Sequence, residues 1–455
     1  MRRALRHPAR VVPLAFLGVI LVGAGLLTLP VATESGQAAT PLTALFTSVS
    51  AVCVTGLVVV DTATYWSGFG EVVIAGLIQV GGFGIIMAGS LLGILVLGRM
   101  RLRGRLLAVS ENSAMRLGDV GTVVRWVAVL TLAVEAAVAV TLYLRFHHYY
   151  GYGNGEAVWH GVFHAVSAFN NAGFGLEADS LMQFVTDPII TLPMCLAIIL
   201  GGIGFPVLVE VVRKARVPAA LRENGRRRPR TGWSLHTQIA VVTTGFLLLA
   251  GFAAYALLEW RNPATLGPLR TGDKLLAAFV AGVQPRTSGF NNLSVGDLRP
   301  ETWLVTDALM FIGGGPAGTA GGIKVTTFAI LAVVIWSEVR GEPDVAVAGR
   351  RIPSETQRQA LTVALLGVAA VALGTAFIML DTAFSLDRVL FEAVSAFGTV
   401  GLSTGITPEL PATSQLVLIV LMFVGRVGTV SVAASLALRT RQRRYSFPTE
   451  RPLVS

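Results

Sequence analysis

Four short segments of the sequence carry one pattern, and the chemistry that it suggests lies in the backbone. Each segment begins with Phe, has Gly ten positions later and then Leu or Phe, and three contain Val-Ser-Ala. The segments read FTSVSAVCVTGL, FHAVSAFNNAGF, FVAGVQPRTSGF and FEAVSAFGTVGL, and their glycines are Gly56, Gly173, Gly289 and Gly401. Because these glycines lie 112 to 117 residues apart, the spacing indicates fourfold internal duplication.

The predicted chemistry is the binding of a cation by backbone oxygens. The first half of each segment can form a short helix, whereas the second half is poor in helix formers and ends at Gly. Four such segments around one axis would form rings of carbonyl oxygens, which can replace the hydration shell of an ion. The C-termini of the short helices would add partial negative charge. No carboxylate accompanies the glycines, so a monovalent cation is the predicted ligand.

The elements that would position these segments are membrane spans. The chain is 53% hydrophobic and only 14% charged, with a mean hydropathy of +0.68, whereas soluble domains carry about 25% charged residues. Eight apolar runs approach or exceed the ~20 residues that cross a bilayer. They are residues 11–30, 72–97, 123–144, 189–212, 239–258, 303–336, 360–380 and 416–438. The simpler interpretation is four glycine turns in ordinary loops. It is disfavoured because all four glycines lie at the same distance from a Phe and each lies between two apolar runs.

We therefore predict an all-α integral membrane protein built from four span, pore-loop, span repeats around one central pore. The repeats are residues 1–98, 99–216, 217–340 and 341–439, followed by a cytoplasmic tail at 440–455. The first run is too long for the apolar core of a signal peptide, and the first repeat requires it as a span. Arginine clusters on alternate connections account for the net charge of +10 and predict that both termini are cytoplasmic. Contact with anionic lipid is compatible with this charge, and nucleic acid binding is not needed to explain it.

A second glycine-rich feature follows 24 to 28 residues after each of the four glycines. In repeats 1 and 2 it reads VGGFG (80–84) and LGGIG (200–204), which we expect to remain helical for close packing. In repeat 3 it lies within FIGGGPAGTAGGIKVTT (311–327), where six glycines and one proline predict a helix about 9 kcal/mol worse than alanine. Broken backbone at membrane depth must line a cavity, so this segment is the predicted gate of the pore. Its residues are Gly313, Gly314, Gly315, Pro316, Ala317, Gly318, Thr319, Ala320, Gly321 and Gly322.

Two cationic residues accompany the predicted gate. Arg426 stands in repeat 4 where the other repeats have glycine, and a charge at this depth is costly enough to indicate a function. Its donors can bind the carbonyls that the helix break frees, and its charge would repel a passing K+ ion, so we expect a gate latch or electrostatic barrier. A structural ion pair to an acid such as Asp307 is the alternative. Lys324, just past the glycines, is expected to cap the helix break or to extend inward.

Two other functions compete with an ion pore. GGGPAG (313–318) satisfies the dinucleotide pattern GxGxxG, but that pattern requires a preceding strand in a βαβ unit, and here apolar spans flank it. A secondary transporter with a substrate site in broken helices would explain the glycine-rich segment but not four matching pore loops. No enzymatic grouping accompanies either alternative, so we expect no enzyme.

The segments SAVCVTGL, SAFNNAGF, QPRTSGF and SAFGTVGL resemble the four filter segments of the Trk/Ktr/HKT superfamily of potassium transporters. The short length and the glycine-rich third repeat are most similar to the Ktr branch. The resemblance implies K+ uptake across the bacterial cytoplasmic membrane, a homodimer and a cytoplasmic nucleotide-binding ring of the KtrA or TrkA type. It implies no cofactor beyond the transported K+, and it leaves dependence on Na+ open. The filter residues that it implies are Val54, Thr55, Gly56, Asn171, Ala172, Gly173, Thr287, Ser288, Gly289, Thr399, Val400 and Gly401.

Overall fold

The structure is a computed structural model that describes residues 8–98, 120–215 and 233–428. Its helices are α1 (Pro8–Leu27), α2 (Pro41–Val52), α3 (Thr62–Tyr65), α4 (Gly68–Gly98), α5 (Val120–His148), α6 (Asn154–Asn170), α7 (Pro188–Gly202), α8 (Phe205–Ala215), α9 (Leu235–Leu258), α10 (Thr271–Val283), α11 (Pro300–Phe311), α12 (Val325–Val339), α13 (Ser354–Asp381), α14 (Leu386–Gly398) and α15 (Ala412–Phe423). A two-residue hairpin, β1 (Ala346–Val347) with β2 (Arg350–Arg351), joins α12 to α13. The predicted tail at 440–455 and most of the arginines behind the predicted orientation lie outside the described residues.

Several helices have the length and composition of membrane spans. Among the described residues, α4, α5, α9 and α13 are long and apolar enough to cross a bilayer unbroken, and the bent pair α7 and α8 makes a fifth candidate. The remaining predicted runs contain shorter apolar helices, such as α1 and α15. Outward positions on these helices are large and apolar, for example Leu249, Leu257 and Leu373. Such a surface suits lipid rather than water, as expected for an integral membrane protein.

Four short helices, α2, α6, α10 and α14, are enclosed by the longer ones. The helices α2, α6 and α14 pack against the helices that flank them on both sides in sequence, and α10 packs against α9 before it. Each also packs against the preceding unit, because α4 contacts α6, α7 contacts α10, α11 contacts α14 and α15 contacts α2. The last of these contacts closes a ring, so the four short helices stand in cyclic order around one centre.

Two of the long apolar runs are interrupted at the level of the ring. In repeat 3 the backbone leaves the helix after α11 and resumes it at α12, and residues 312–324 between them are called the glycine loop below. In repeat 2 the chain bends by 103° between α7 and α8. The expectation that LGGIG would remain helical is therefore wrong, whereas VGGFG does lie within α4.

The break in repeat 2 has a local cause in the backbone. Gly204 adopts a φ of +101°, which a residue with a side chain rarely adopts, and Pro206 has no N–H to donate to the carbonyl of Gly202. The glycine loop supplies hydrogen-bond partners for the backbone groups that this break leaves unpaired. Gly315 N donates to Gly202 O over 2.7 Å, Thr319 N donates to Gly201 O over 3.0 Å, and Phe205 N donates to Ala317 O over 3.2 Å. The two breaks thus complete each other's hydrogen bonding, as buried backbone requires.

The loops outside the spans are fastened by buried carboxylates, of which Glu259 at the end of α9 is the clearest case. Its oxygens accept hydrogen bonds from Thr302 Oγ1 over 2.5 Å, Asn262 Nδ2 over 2.6 Å, Thr265 Oγ1 over 2.7 Å and Arg299 N over 3.0 Å. Burial alone would raise the pKa of Glu259, but these hydrogen bonds, above all that from Thr302, hold the pKa below its usual value.

We expect Glu259→Ala to lower the stability of the protein by about 3 kcal/mol, because buried donors would lose their acceptor. Glu259→Gln should cost less at neutral pH, since it keeps one acceptor oxygen. The folded pKa is depressed, so the stabilisation by the charged form exists above the ordinary carboxyl pKa of about 4.3 and disappears as the pH falls through the folded value. Apparent melting temperatures in detergent between pH 3 and 7 measure this difference. A glutamine variant as stable as the parent at pH 7 would contradict it.

Candidate functional site

The four short helices α2, α6, α10 and α14 lead into segments with one shared backbone conformation. The first residue of the three predicted filter positions has a positive φ in every segment, at Val54 (+56°), Asn171 (+61°), Thr287 (+64°) and Thr399 (+50°). The glycine two positions later is also positive, at Gly56 (+92°), Gly173 (+74°), Gly289 (+73°) and Gly401 (+94°). In three of the four segments this first residue is β-branched, and a positive φ is rare for such residues and costs on the order of 1–3 kcal/mol each. Such repeated strain indicates that this backbone shape is required.

Hydrogen bonds behind the segments consume the amide groups. Thr55 N donates to Ser50 O over 2.8 Å, and the equivalent amides of Ala172 and Val400 make the same bond over 2.8 Å to Ser167 O and Ser395 O. The serine of the Val-Ser-Ala motif adds a second contact, because Ser50 Oγ and Ser395 Oγ each accept from the glycine amide of their segment over 3.1 Å. In repeats 1 and 4 the motif therefore fixes the turn that carries the glycine, whereas Ser167 Oγ of repeat 2 is buried without a partner.

The carbonyl oxygens of the same segments remain free. Within the described part of the chain, no hydrogen bond reaches the carbonyl of the middle residue of any segment, namely Thr55, Ala172, Ser288 and Val400. The hydroxyl oxygens of Thr55, Thr287 and Thr399 are also buried without a partner. Buried oxygens are normally paired, so a cluster of unpaired ones marks a place where a cation can supply the missing interaction.

The four glycines meet at the centre of the ring. A Cβ atom built on Gly289 would lie 2.7 Å from the Cα of Gly173 and 2.7 Å from the carbonyl oxygen of Val400. A Cβ on Gly401 would lie 3.0 Å from the Cα of both Gly289 and Gly56. Only hydrogen fits at these positions, and the four glycines of the predicted filter segments are therefore brought together.

The glycine loop lies beside this centre and is held through its own carbonyl groups. Arg426, in a π-helical turn after α15, donates through Nη1 to Thr319 O and through Nη2 to Gly81 O, the latter over 3.5 Å. Lys324 is the N-cap residue of α12, and its Nζ donates to Ala320 O over 2.5 Å. The ten predicted gate residues thus lie in the break, with both predicted cations bonded to it.

A third cation, Arg286, was not among the predicted site residues. It directly precedes the filter position Thr287, is 5% exposed, and donates through Nη1 to Ile312 O over 2.6 Å and through Nη2 to Gly313 O over 2.7 Å. One signal was available in the sequence: the other three repeats have Cys53, Asn170 and Gly398 at the same position of the pattern. A lone charge in an apolar repeat would have singled it out.

The ion pair considered for Arg426 and Asp307 is not formed. Among the described residues, no salt bridge joins Arg426, Arg286 or Lys324 to a carboxylate. Asp307 Oδ1 is buried without a partner, and Arg426 makes its hydrogen bonds to backbone carbonyls instead. Freed loop carbonyls act as its acceptors because the break leaves them without helical donors. Three cationic groups therefore border the glycine loop.

Comparison with known proteins agrees with this architecture. The family model described as "TrkH: Cation transport protein" matches residues 3–446. The "Ktr system potassium uptake protein B" of Bacillus subtilis is 38% identical over 97% of this chain and 95% of its own length. The "Potassium/sodium uptake protein NtpJ" of Enterococcus hirae is 32% identical over 97% of this chain and 96% of its own. Among solved structures, the potassium transporter TrkH from Vibrio parahaemolyticus superposes with a TM-score of 0.66 at 19% identity, covering 94% of this chain and 84% of that one.

These matches define the class first: an integral membrane protein of the ion-transporting kind, not an enzyme. The chain belongs to the TrkH family of cation transport proteins, and of the relatives named here it shares the most identical residues with the Ktr system potassium uptake protein B of Bacillus subtilis. The family resemblance noted for the four filter-like segments is thereby confirmed.

A substitution at the meeting point of the glycines tests the site. We expect Gly289→Ser to lower the preference for Rb+, used as a K+ tracer, over Na+ by at least about tenfold. The added side chain must displace the backbone around it, and a change of about 1.4 kcal/mol in the relative binding free energy of the two ions corresponds to a factor of ten. The matched control is Gly36→Ser, since Gly36 has a similar φ of +68° but open space around it. Tracer uptake into liposomes measures both variants. An unchanged preference in Gly289→Ser would remove this point from the ion path.

Proposed function

We propose that this chain is the ion-translocating subunit of a Ktr- or Trk-type system and takes up K+ through a channel-like pore. The observation that carries the proposal is the convergence of four filter segments with unpaired carbonyl oxygens and no side chain at the central glycines. The names of its relatives, a Ktr potassium uptake protein and a potassium/sodium uptake protein, support the choice of a monovalent cation. In this proposal the eight predicted spans and four pore loops form four repeats around the pore.

The filter works by exchanging water for carbonyl oxygens. A hydrated K+ ion that reaches the glycines loses water and gains oxygens from segments 54–56, 171–173, 287–289 and 399–401. The helices α2, α6, α10 and α14 end at these segments, and their C-terminal partial charges favour a cation. Because the four segments differ in side chains, the filter is less symmetric than one made from four identical subunits. All four glycines are present, which favours K+ over Na+.

The glycine loop acts as a gate in this proposal, and Arg426 acts as its latch. The loop has no helical hydrogen bonds to lose, so its movement releases only its contacts to neighbours, such as the bonds of Gly315 and Thr319 to the break in repeat 2. While it is in place, its cationic neighbours repel a passing K+ ion in a region of low dielectric constant. Movement of the loop would withdraw the carbonyl contact of Arg426 and open the path.

The remaining features of the proposal follow from the Ktr-type relatives. The name "Ktr system" supports an assembly with further components, and we propose a homodimer controlled by a cytoplasmic nucleotide-binding ring of the KtrA or TrkA type. The location is the bacterial cytoplasmic membrane, with both termini in the cytoplasm. Dependence of uptake on Na+ is compatible with the name of the Enterococcus relative, and flux with and without Na+ decides it.

A second candidate is a secondary transporter that binds a small solute between broken helices. The observation in its favour is the pair of interrupted helices, α7 with α8 and α11 with α12, whose breaks exchange hydrogen bonds. Saturable uptake of an organic solute by the purified protein would support this function. Rb+ uptake without such a solute would favour the pore.

The gate is tested by Arg426→Ala in liposomes that contain the purified chain. Loss of one charge-assisted hydrogen bond, worth about 1.5–3 kcal/mol, should raise basal Rb+ flux about tenfold or more. Arg426→Lys keeps the charge but not the planar group, and it should fall between the parent and the alanine variant. Arg358→Ala serves as the control, because Arg358 is exposed near the start of α13. Equal or lower flux in a correctly folded Arg426→Ala protein would contradict the latch.

A further inference from the structure

We infer that Arg286 and Asn171 join the filter to the gate, so that the selectivity of the pore and the position of the glycine loop are one coupled property. This inference rests on the proposed gate function of the loop. It assigns to Arg286 and to the Asn171 side chain a positioning role that is separate from the backbone role of the filter segments.

Arg286 is the first part of the connection. Its backbone precedes Thr287 in the filter segment of repeat 3, and its guanidinium group holds the carbonyls of Ile312 and Gly313 at the start of the glycine loop. Two successive carbonyls require two donors in a fixed fork, which arginine has and lysine lacks. Because Arg286 is buried, water does not replace these bonds when they break. A shift of the loop's start therefore pulls on the filter segment of repeat 3.

Asn171 is the second part. This residue is the first filter position of repeat 2 and has a left-handed backbone. Its side chain faces both neighbours: Nδ2 donates to Arg286 O over 3.3 Å, and Oδ1 accepts from Thr319 Oγ1 over 2.7 Å. The same hydroxyl lies 3.3 Å from a second acceptor, Phe169 O, close to the end of α6. The middle of the glycine loop is thus bonded to the filter segment of repeat 2.

Together these contacts form a closed path made of three hydrogen bonds and the covalent chain between them. It runs from Gly313 to Arg286, from Arg286 to Asn171, from Asn171 to Thr319, and back along the glycine loop to Gly313. Arg426 joins this path at the carbonyl of Thr319. The loop cannot leave its place as a whole without releasing filter residues of two repeats. By the reciprocity of coupled sites, an ion that orders those filter segments also stabilises the loop.

Two conservative substitutions test the coupling. Arg286→Lys keeps the positive charge and removes the fork, whereas Thr319→Val removes the hydroxyl and keeps the carbonyl that Arg426 binds. Each should raise basal Rb+ flux about tenfold and lower the preference for Rb+ over Na+ about threefold or more, because one charge-assisted or buried bond is lost. The matched control is Thr375→Val, since the Thr375 hydroxyl in α13 is buried without a partner. Both quantities are measured on the full chain in liposomes.

The outcomes separate the coupling from the gate itself. A rise in flux with unchanged ion preference in both variants would overturn the coupling and leave Arg286 and Thr319 as gate contacts only. A change in preference with unchanged flux would overturn it equally, because the residues would then support the filter alone. If neither variant differs from Thr375→Val while Arg426→Ala raises flux, the gate stands and the coupling is wrong. If Arg426→Ala also leaves flux unchanged, the proposed gate function itself fails.

Discussion

The structure depends on one constraint: a backbone polar group inside a membrane must find a partner within the protein or in an ion. Helices meet this constraint by themselves, and most of the described residues are helical. The two kinds of interruption meet it differently. The breaks at Gly204 and in the glycine loop exchange hydrogen bonds with each other, whereas the four filter segments leave their carbonyl oxygens unpaired. An unpaired oxygen at this depth is tolerated where a cation completes it, so the same constraint that shapes the glycine loop also shapes these four segments.

The sequence predicted those features whose cause lies in local chemistry repeated along the chain. Four glycines at a fixed distance from Phe predicted four equivalent segments, and six glycines with a proline predicted the break in repeat 3. The break in repeat 2 was missed because its glycines are few. Its cause is the pairing of Gly204 with Pro206, and its stability depends on a loop more than 100 residues later. The composition of a short stretch of sequence gives no information about a hydrogen-bond partner so distant along the chain.

The sequence predicted the partner of one cationic residue and missed the partners of another. The depth of Arg426 was predicted by counting residues from the glycine of the filter-like segment in repeat 4. This count did not require knowledge of the groups that Arg426 contacts. The break predicted free loop carbonyls as acceptors for Arg426, and the bond to Thr319 O agrees with that expectation, whereas the alternative partner Asp307 is not bonded to it. The bonds of Arg286 to Ile312 O and Gly313 O were not predicted. They join two segments more than 20 residues apart, and that contact follows from the fold rather than from a local pattern.

The ring of short helices has a consequence for how the protein is made. Each unit packs against the short helix of the next unit, and the contact that closes the ring joins α15 to α2. The helix α2 is among the first to leave the ribosome, whereas α15 is among the last, more than 350 residues later. During synthesis, the first unit therefore lies in the bilayer without its contact to α15 until the last unit has been made. Contacts so distant in sequence form slowly, which makes late assembly the stage most exposed to misfolding and to quality control.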